Sequence, residues 1–324
     1  MHKAEDSRQK TETRDSRRGM TLIWANAFAF YLVPFALGSM PGAFGAAPLA
    51  PSVSFSSATG RQQVPVSDGV VDVPGARLAY IDTGGRGVPV VLLHAGTGSA
   101  RVWEHQLPAF TAAGFRVIAY DRRGFGRTVT TTGGPASTAP DDLEALATHL
   151  HLDRFHVVGT AAGGIVATDY ALSFAARLRS LVIANSIVGV QDEDYLELGR
   201  RLRPKAFGDL PADFRELGPA YRAANPTGTE RWLALERQSR APGPPQPPQP
   251  ARNQITFKSL ETIETPVLLI TGDADLYTPP PALDLIAKRM PGAETLLIRA
   301  VGHSAFWEQP DVFNAAVLAF IKKH

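Results

Sequence analysis

Residues Phe155 to Leu172 read F-H-V-V-G-T-A-A-G-G-I-V-A-T-D-Y-A-L, and no other stretch of the chain narrows the fold so far. A short, continuous apolar run predicts a strand buried on both faces. The run ends in glycines and alanines and passes at once into a helical segment. So abrupt a strand-to-helix turn strains its central residue. Gly159 and Gly163 stand two before and two after that centre, where any Cβ would crowd the turn. Turns of this kind written G-x-S-x-G present a nucleophile. Here the centre is Ala161, which has no nucleophilic atom.

The same grammar recurs on either side. Val70–Val73 and Ala76–Asp82 read as antiparallel strands joined around Pro74-Gly75. Pro89–Leu93 is a buried strand ending at His94-Ala95-Gly96-Thr97-Gly98, and a helix is predicted over about 102–113. Arg116–Tyr120 is a strand ending at Asp121-Arg122-Arg123-Gly124-Phe125-Gly126-Arg127. Thr138-Ala139-Pro140-Asp141 starts a helix, with Leu143, Leu146 and Leu150 keeping its period. Leu181–Asn185 is the next strand. Residues 187–265 then lack any strand-like run and end in a segment, 241–250, with six prolines, read as stiff extended chain within the insertion. Alternation resumes with Pro266–Ile270, which leads to Gly272-Asp273-Ala274-Asp275, and Glu294–Ile298, which leads to Gly302-His303; a final amphipathic helix runs from Asp311. Strands alternating with helices imply right-handed crossovers and a mostly parallel, doubly wound α/β sheet covered on both faces.

Charge narrows the partners. Of 33 Lys/Arg and 31 Asp/Glu, six and four fall in residues 1–19, which leaves 27 of each in the remainder. That balance gives no electrostatic case for nucleic acid. The absence of cysteine excludes disulfides, thiolate ligands and thiol nucleophiles. No H-E-x-x-H or G-K-[ST] pattern occurs, so neither a metal nor a phosphate-bearing cofactor is expected, and the expected partner is a small-molecule substrate. Oligomeric state is not readable.

The first 47 residues form a separate head. A mixed-charge start ends in Ser16-Arg17-Arg18-Gly19; an uncharged apolar run from Met20 and a small-residue exit near Gly45–Ala47 follow. These are the parts of an export signal, twin-arginine-like in its basic pair, or of an uncleaved membrane anchor. Export to the periplasm or medium is the corresponding expectation. A linker, 48–63, leads into a core built from 64–186 and 266–324, with 187–265 as an inserted helical lid.

Each singled-out group falls at the C-terminal end of a predicted parallel strand, where open α/β sheets carry their sites. Together the 94–98 loop, the 121–127 run, the elbow glycines, the 272–275 loop, Gly302-His303 and Glu308-Gln309-Pro310 resemble the α/β-hydrolase superfamily over residues 64–324. The order of elbow, acid and histidine is that of its triads. The resemblance implies His303 as general base and Asp275 as its orienting acid, with Asp273 the rival. It also implies a backbone oxyanion hole from Ala162 and Gly96, with Thr97 second choice. Thr160 stands one residue off the apex, so its side chain should point away from that of Ala161. Ser99 and Ser304 have no visible activator.

The alanine leaves three explanations open: a deliberate Ser-to-Ala change, a natural enzyme in which His303 activates water or moves a proton, and a binder that keeps only the pocket. The expected activity is hydrolysis of a small, largely apolar ester, lactone or related carbonyl compound. Alternatives on the same fold are a ligand-binding pseudoenzyme and a cofactor-free lyase or isomerase.

Overall fold

A computed structural model describes residues 64–131, 137–243 and 246–324. The export or anchor reading of residues 1–47 and the linker 48–63 lie outside the described residues, as do residues 244 and 245 of the proline-rich segment. Among the described residues, no helix is long and apolar enough to cross a membrane.

The strands are β1 (Ser67–Val73), β2 (Ala76–Asp82), β3 (Pro89–Leu93), β4 (Arg116–Tyr120), β5 (Val129–Thr130), β6 (Phe155–Thr160), β7 (Leu178–Ala184), β8 (Val267–Gly272) and β9 (Glu294–Ile298). They form one sheet in the order β1-β2-β4-β3-β6-β7-β8-β9, with β5 paired to β2. The first hairpin and the β2–β4 pair are antiparallel; every pairing from β4 across to β9 is parallel. The predicted α/β architecture is what the chain adopts.

Period-two geometry explains how these apolar runs serve two cores. Leu93, Val157 and Ile183 pack on one face with Leu143, Tyr170 and Leu283, from helices α2 (Ala139–His149), α3 (Ala162–Phe174) and α9 (Pro280–Ala287). Leu92, Val158 and Val182 pack on the other with Phe110 and Phe313, from α1 (Gln106–Ala112) and α11 (Pro310–Ile321). Leu92 and Val158 are fully buried, each worth about 1.5–3 kcal/mol against exposure. β9 is the edge and exposes Glu294, Thr295 and Leu297, a sheet margin blunted by charge.

Between β7 and β8 the chain forms α4 (Glu193–Leu202), α5 (Ala212–Glu216), α6 (Pro219–Ala224), α7 (Pro226–Arg237) and α8 (Phe257–Leu260). This insertion is not a loose appendage: Trp232 and Leu235 belong to the second core, Tyr195 and Phe257 to the first. α10 (Ala305–Glu308) is a single turn after His303.

Two local expectations change. The helix expected over 102–113 divides into a 3-10 turn, Ala100–Trp103, and α1. Pro108 lies in the first turn of α1, where its missing N–H costs nothing; in one longer helix it would have cost a bond and clashed. The two-residue β5 carries no pattern long enough to read.

Candidate active site

Ala161 is the N-cap of α3 at φ 50° and ψ −116°, a conformation a residue with a Cβ enters only under constraint. The constraints are visible. The Ala161 N–H donates to the Ala184 carbonyl at 2.9 Å, and the Ala161 carbonyl accepts from Ser186 Oγ at 2.7 Å and Gly164 N–H at 3.0 Å. A Cβ on Gly159 would stand 2.5 Å from the Gly163 oxygen, and one on Gly163 would stand 2.1 Å from the Leu93 oxygen. The glycines thus let α3 close against β6 and β3.

The loop after β3 comes up beside the elbow. A Cβ on Gly96 would lie 3.9 Å from that of Ala162. As the first residue of α3, Ala162 has an N–H with no carbonyl one turn earlier to bind. The loop is pinned from below by a buried imidazole: His94 Nδ1 donates to the Ala95 carbonyl at 2.7 Å, and Nε2 accepts from the Arg122 N–H at 3.2 Å. Burial, and then the Arg122 guanidinium, hold the His94 pKa well below its usual range, so the ring stays neutral as this bonding requires. Asp121 adds a second tie by accepting from the Ala100 and Arg127 amides at 2.7 and 3.0 Å.

His303 and Asp275 meet. His303 Nδ1 donates to the carboxylate, 2.9 Å from each oxygen. The carboxylate also accepts from Asn185 Nδ2 at 3.0 Å and from the Tyr277 and Thr278 amides at 2.7 and 3.0 Å. Burial alone would raise the Asp275 pKa, but His303 and these donors bring it below its usual value. Burial likewise pulls His303 down, and the Asp275 carboxylate more than reverses this. With Nδ1 committed, Nε2 is the nitrogen left for chemistry. Tyr277 stacks on the imidazole, ring centres 4.1 Å apart. The rival acid, Asp273, instead caps the β9 loop by accepting from the Ala300 amide at 2.7 Å.

The remaining candidates fall outside this cluster. Thr160 is fully buried in β6. Ser99 caps the 3-10 turn, its Oγ accepting from the Arg101 amide. Thr97 faces the insertion, with Oγ1 3.5 Å from Glu216 Oε2. Among the described residues, no group of three or more His, Asp or Glu side chains is placed to hold a metal ion.

Three further residues hold the site together, of which only Glu308 belongs to a motif read from the sequence, Glu308-Gln309-Pro310, and there without a role. Asn185, at φ 50° just past β7, donates to both Asp275 and the Gly302 carbonyl. Its place at a strand's C-terminal end was a usable signal. Glu308 accepts from the Gly302, Ser304 and Gly218 amides at 2.8 to 3.2 Å, gripping both flanks of His303 and the insertion. Burial pushes its pKa up to about 7 against the pull of those amides. Glu216 ends α5 fully enclosed, its backbone carbonyl accepting from the His303 N–H at 2.9 Å. No sequence signal marks it.

Comparison with known proteins bears on the family and the fold. Residues 90–316 match the family model described as the alpha/beta hydrolase family. A Mycobacterium tuberculosis protein named as a non-heme bromoperoxidase is 29% identical over 260 residues, spanning 75% of this chain and 97% of its own. A Caulobacter protein named as a carbamate hydrolase is 32% identical over 250 residues, spanning 71% and 90%. Among solved structures, a bromoperoxidase from Bacillus anthracis superposes with a TM-score of 0.62 at 26% identity, over 79% of this chain and all of its own.

Proposed function

The chain belongs to the alpha/beta hydrolase family, and from that premise we propose that it hydrolyses a small, largely apolar ester, lactone or related carbonyl compound without an enzyme-bound acyl intermediate. His303 Nε2 takes a proton from water. Asp275 holds the ring in the required tautomer and stabilises the imidazolium that forms. The attacked carbonyl oxygen becomes an oxyanion held by the Ala162 and Gly96 amides, with Thr97 the second choice for the loop donor. The lid helices exclude bulk water and choose the substrate.

The observation that carries this reading is the intact His303–Asp275 pair beside an elbow whose centre is a methyl group. A binder needs neither a buried carboxylate nor an oriented imidazole. Enzymes stripped of a triad member retain an acceleration of about 10³–10⁴-fold over water, which sets the floor for such chemistry. Naming one relative a carbamate hydrolase supports carbonyl hydrolysis as the reaction class.

Ala161 itself favours a second reading, a ligand-binding protein on the same scaffold. Turnover of p-nitrophenyl esters by the purified chain, by Ala161→Ser and by His303→Ala separates the two. Activity in the unaltered chain that disappears in His303→Ala is the expected result. Activity only in Ala161→Ser sinks the hydrolytic reading and leaves the binder.

A further inference from the structure

A guanidinium withdrawn from water needs acceptors, and most arginines near this one have them. Arg200 and Arg201, on α4, pair with Glu193 and Glu197, and Arg123 grips Asp142 with two contacts of 2.7 and 2.8 Å. Arg203, which ends α4, does not follow them. Its guanidinium carbon lies 5.8 Å from the ring centres of both Phe207 and Tyr277. Among the described residues, no carboxylate pairs with it and no carbonyl or hydroxyl accepts from it. Nε is closed off without a partner, while the two terminal nitrogens are not closed off and are left to donate.

Its place is the site. Tyr277 stacks on the His303 imidazole at 4.1 Å, and Phe207 meets the Tyr277 ring edge-on at 4.6 Å. The insertion therefore sets a cation beside the ring that covers the catalytic base. The charge acts there: burial lowers the His303 pKa, Asp275 more than restores it, and Arg203 adds a weaker lowering pull. The Tyr195 hydroxyl, also on α4, is buried without a partner; burial raises its pKa and Arg203 draws it back. The carboxylates of the site are committed elsewhere. Asp275 accepts from His303, Asn185 and two backbone amides, and Glu216 accepts from the Tyr277 and Thr97 hydroxyls.

We propose that Arg203 holds a carboxylate carried by the substrate, so that the compound hydrolysed is an ester or lactone with one free anionic end. The inference rests on the hydrolytic reading above and deepens it: an apolar chain separates the reacting carbonyl from that end. Guanidinium and carboxylate match as two forks, and their bond is strongest where rings rather than water surround it. Phe207 and Tyr277 shield the cation with their rings and leave its donors unspent. A neutral ester of the same shape leaves the guanidinium unpaired in the closed site, so selection works by rejection as well as by attraction.

The test pairs p-nitrophenyl esters that differ only in charge: hydrogen glutarate with 5-methylhexanoate, and hydrogen adipate with 6-methylheptanoate. Each is assayed, with the uncatalysed rate subtracted, on the unaltered chain, Arg203→Met and Arg203→Lys, with circular dichroism to confirm folding. The unaltered chain is expected to favour the anionic member of at least one pair by about 10–100-fold in kcat/KM. Arg203→Met is expected to abolish that preference, chiefly through KM of the anionic ester, and Arg203→Lys to restore part of it. No preference in the unaltered chain, or one that survives in Arg203→Met, overturns this assignment alone. No turnover of any ester overturns the hydrolytic reading, and calorimetric titration with glutarate and adipate then decides the anchor by itself. Binding that is lost in Arg203→Met upholds it, and no binding overturns it.

Discussion

Ala161 sits at φ 50° where β6 turns into α3, and its neighbours show how tightly the backbone is arranged around it. Gly163→Ala places a Cβ against the Leu93 carbonyl and is expected to cost about 1–3 kcal/mol or more in urea unfolding, whatever happens to activity. Asp275→Asn leaves the shape but not the charge or the tautomer, and kcat is expected to fall by an order of 10⁴ in steady-state assays. Glu308 supplies a pH signature. Its folded-state pKa of about 7 lies above that of an unfolded glutamate, so its contribution is fully present below the unfolded value and is lost as pH rises through about 7. The stability advantage of the unaltered chain over Glu308→Gln is therefore expected to shrink between about pH 4.5 and 7, by an order of 3 kcal/mol, in thermal melts at a series of pH values. Of these residues, Ala161, Asp275 and His303 were legible because strand ends announce themselves. Choosing Asp275 over Asp273 rested on the family resemblance, whose pattern sets the acid three residues after Gly272, and in the structure Asp273 is spent on a backbone amide. Glu216 was not legible, because its place hangs on how the helices of the insertion pack; Asn185 stood at a strand end, but its role hangs on a contact 90 residues away.

Elements were easier to read than their ends. The central strands are continuous apolar runs because both faces are covered, and such runs are hard to mistake once alternating helices follow. The start of α2 was equally plain: Thr138 Oγ1 accepts from the Asp141 amide at 3.2 Å while the Asp141 carboxylate accepts in return from the Thr138 amide. Thr138→Ala is expected to remove about 1 kcal/mol, measured by chemical denaturation. By contrast, α1 began later than its apolar period implied, because one proline decided where a helix could start. A two-residue strand such as β5 leaves no periodic trace. Its pairing is fixed by the chain segments that bring it to β2.

At the scale of the molecule, the sheet is a frame and the insertion is part of its interior. Trp232 is 3% exposed within the second core, so Trp232→Ala is expected to destabilise the whole unit by about 3–5 kcal/mol in a single unfolding transition, not a separate melting of the insertion. That 187–265 would be helical was readable from its lack of strand runs; where each helix would lie was not, since amphipathic pieces this short take their places from the surface they land on. The basic pair Arg17-Arg18 before an uncharged run supports export as a proposal, checked by fractionating cells that express the full chain and its Arg17→Lys, Arg18→Lys variant.

The Glu308 carboxylate and the Glu216 carbonyl have a joint consequence. Residues 216–218 hang from the same hydrogen bonds that hold the two flanks of His303: Gly218 shares the carboxylate with Gly302 and Ser304, and His303's own amide is bonded to Glu216. A door hung in this way is bolted to the lock. Any swing of this segment that admits a ligand from its side loosens the histidine loop as it goes. Along that route, opening and alignment exclude each other, and the His303 arrangement described above belongs to the closed segment alone.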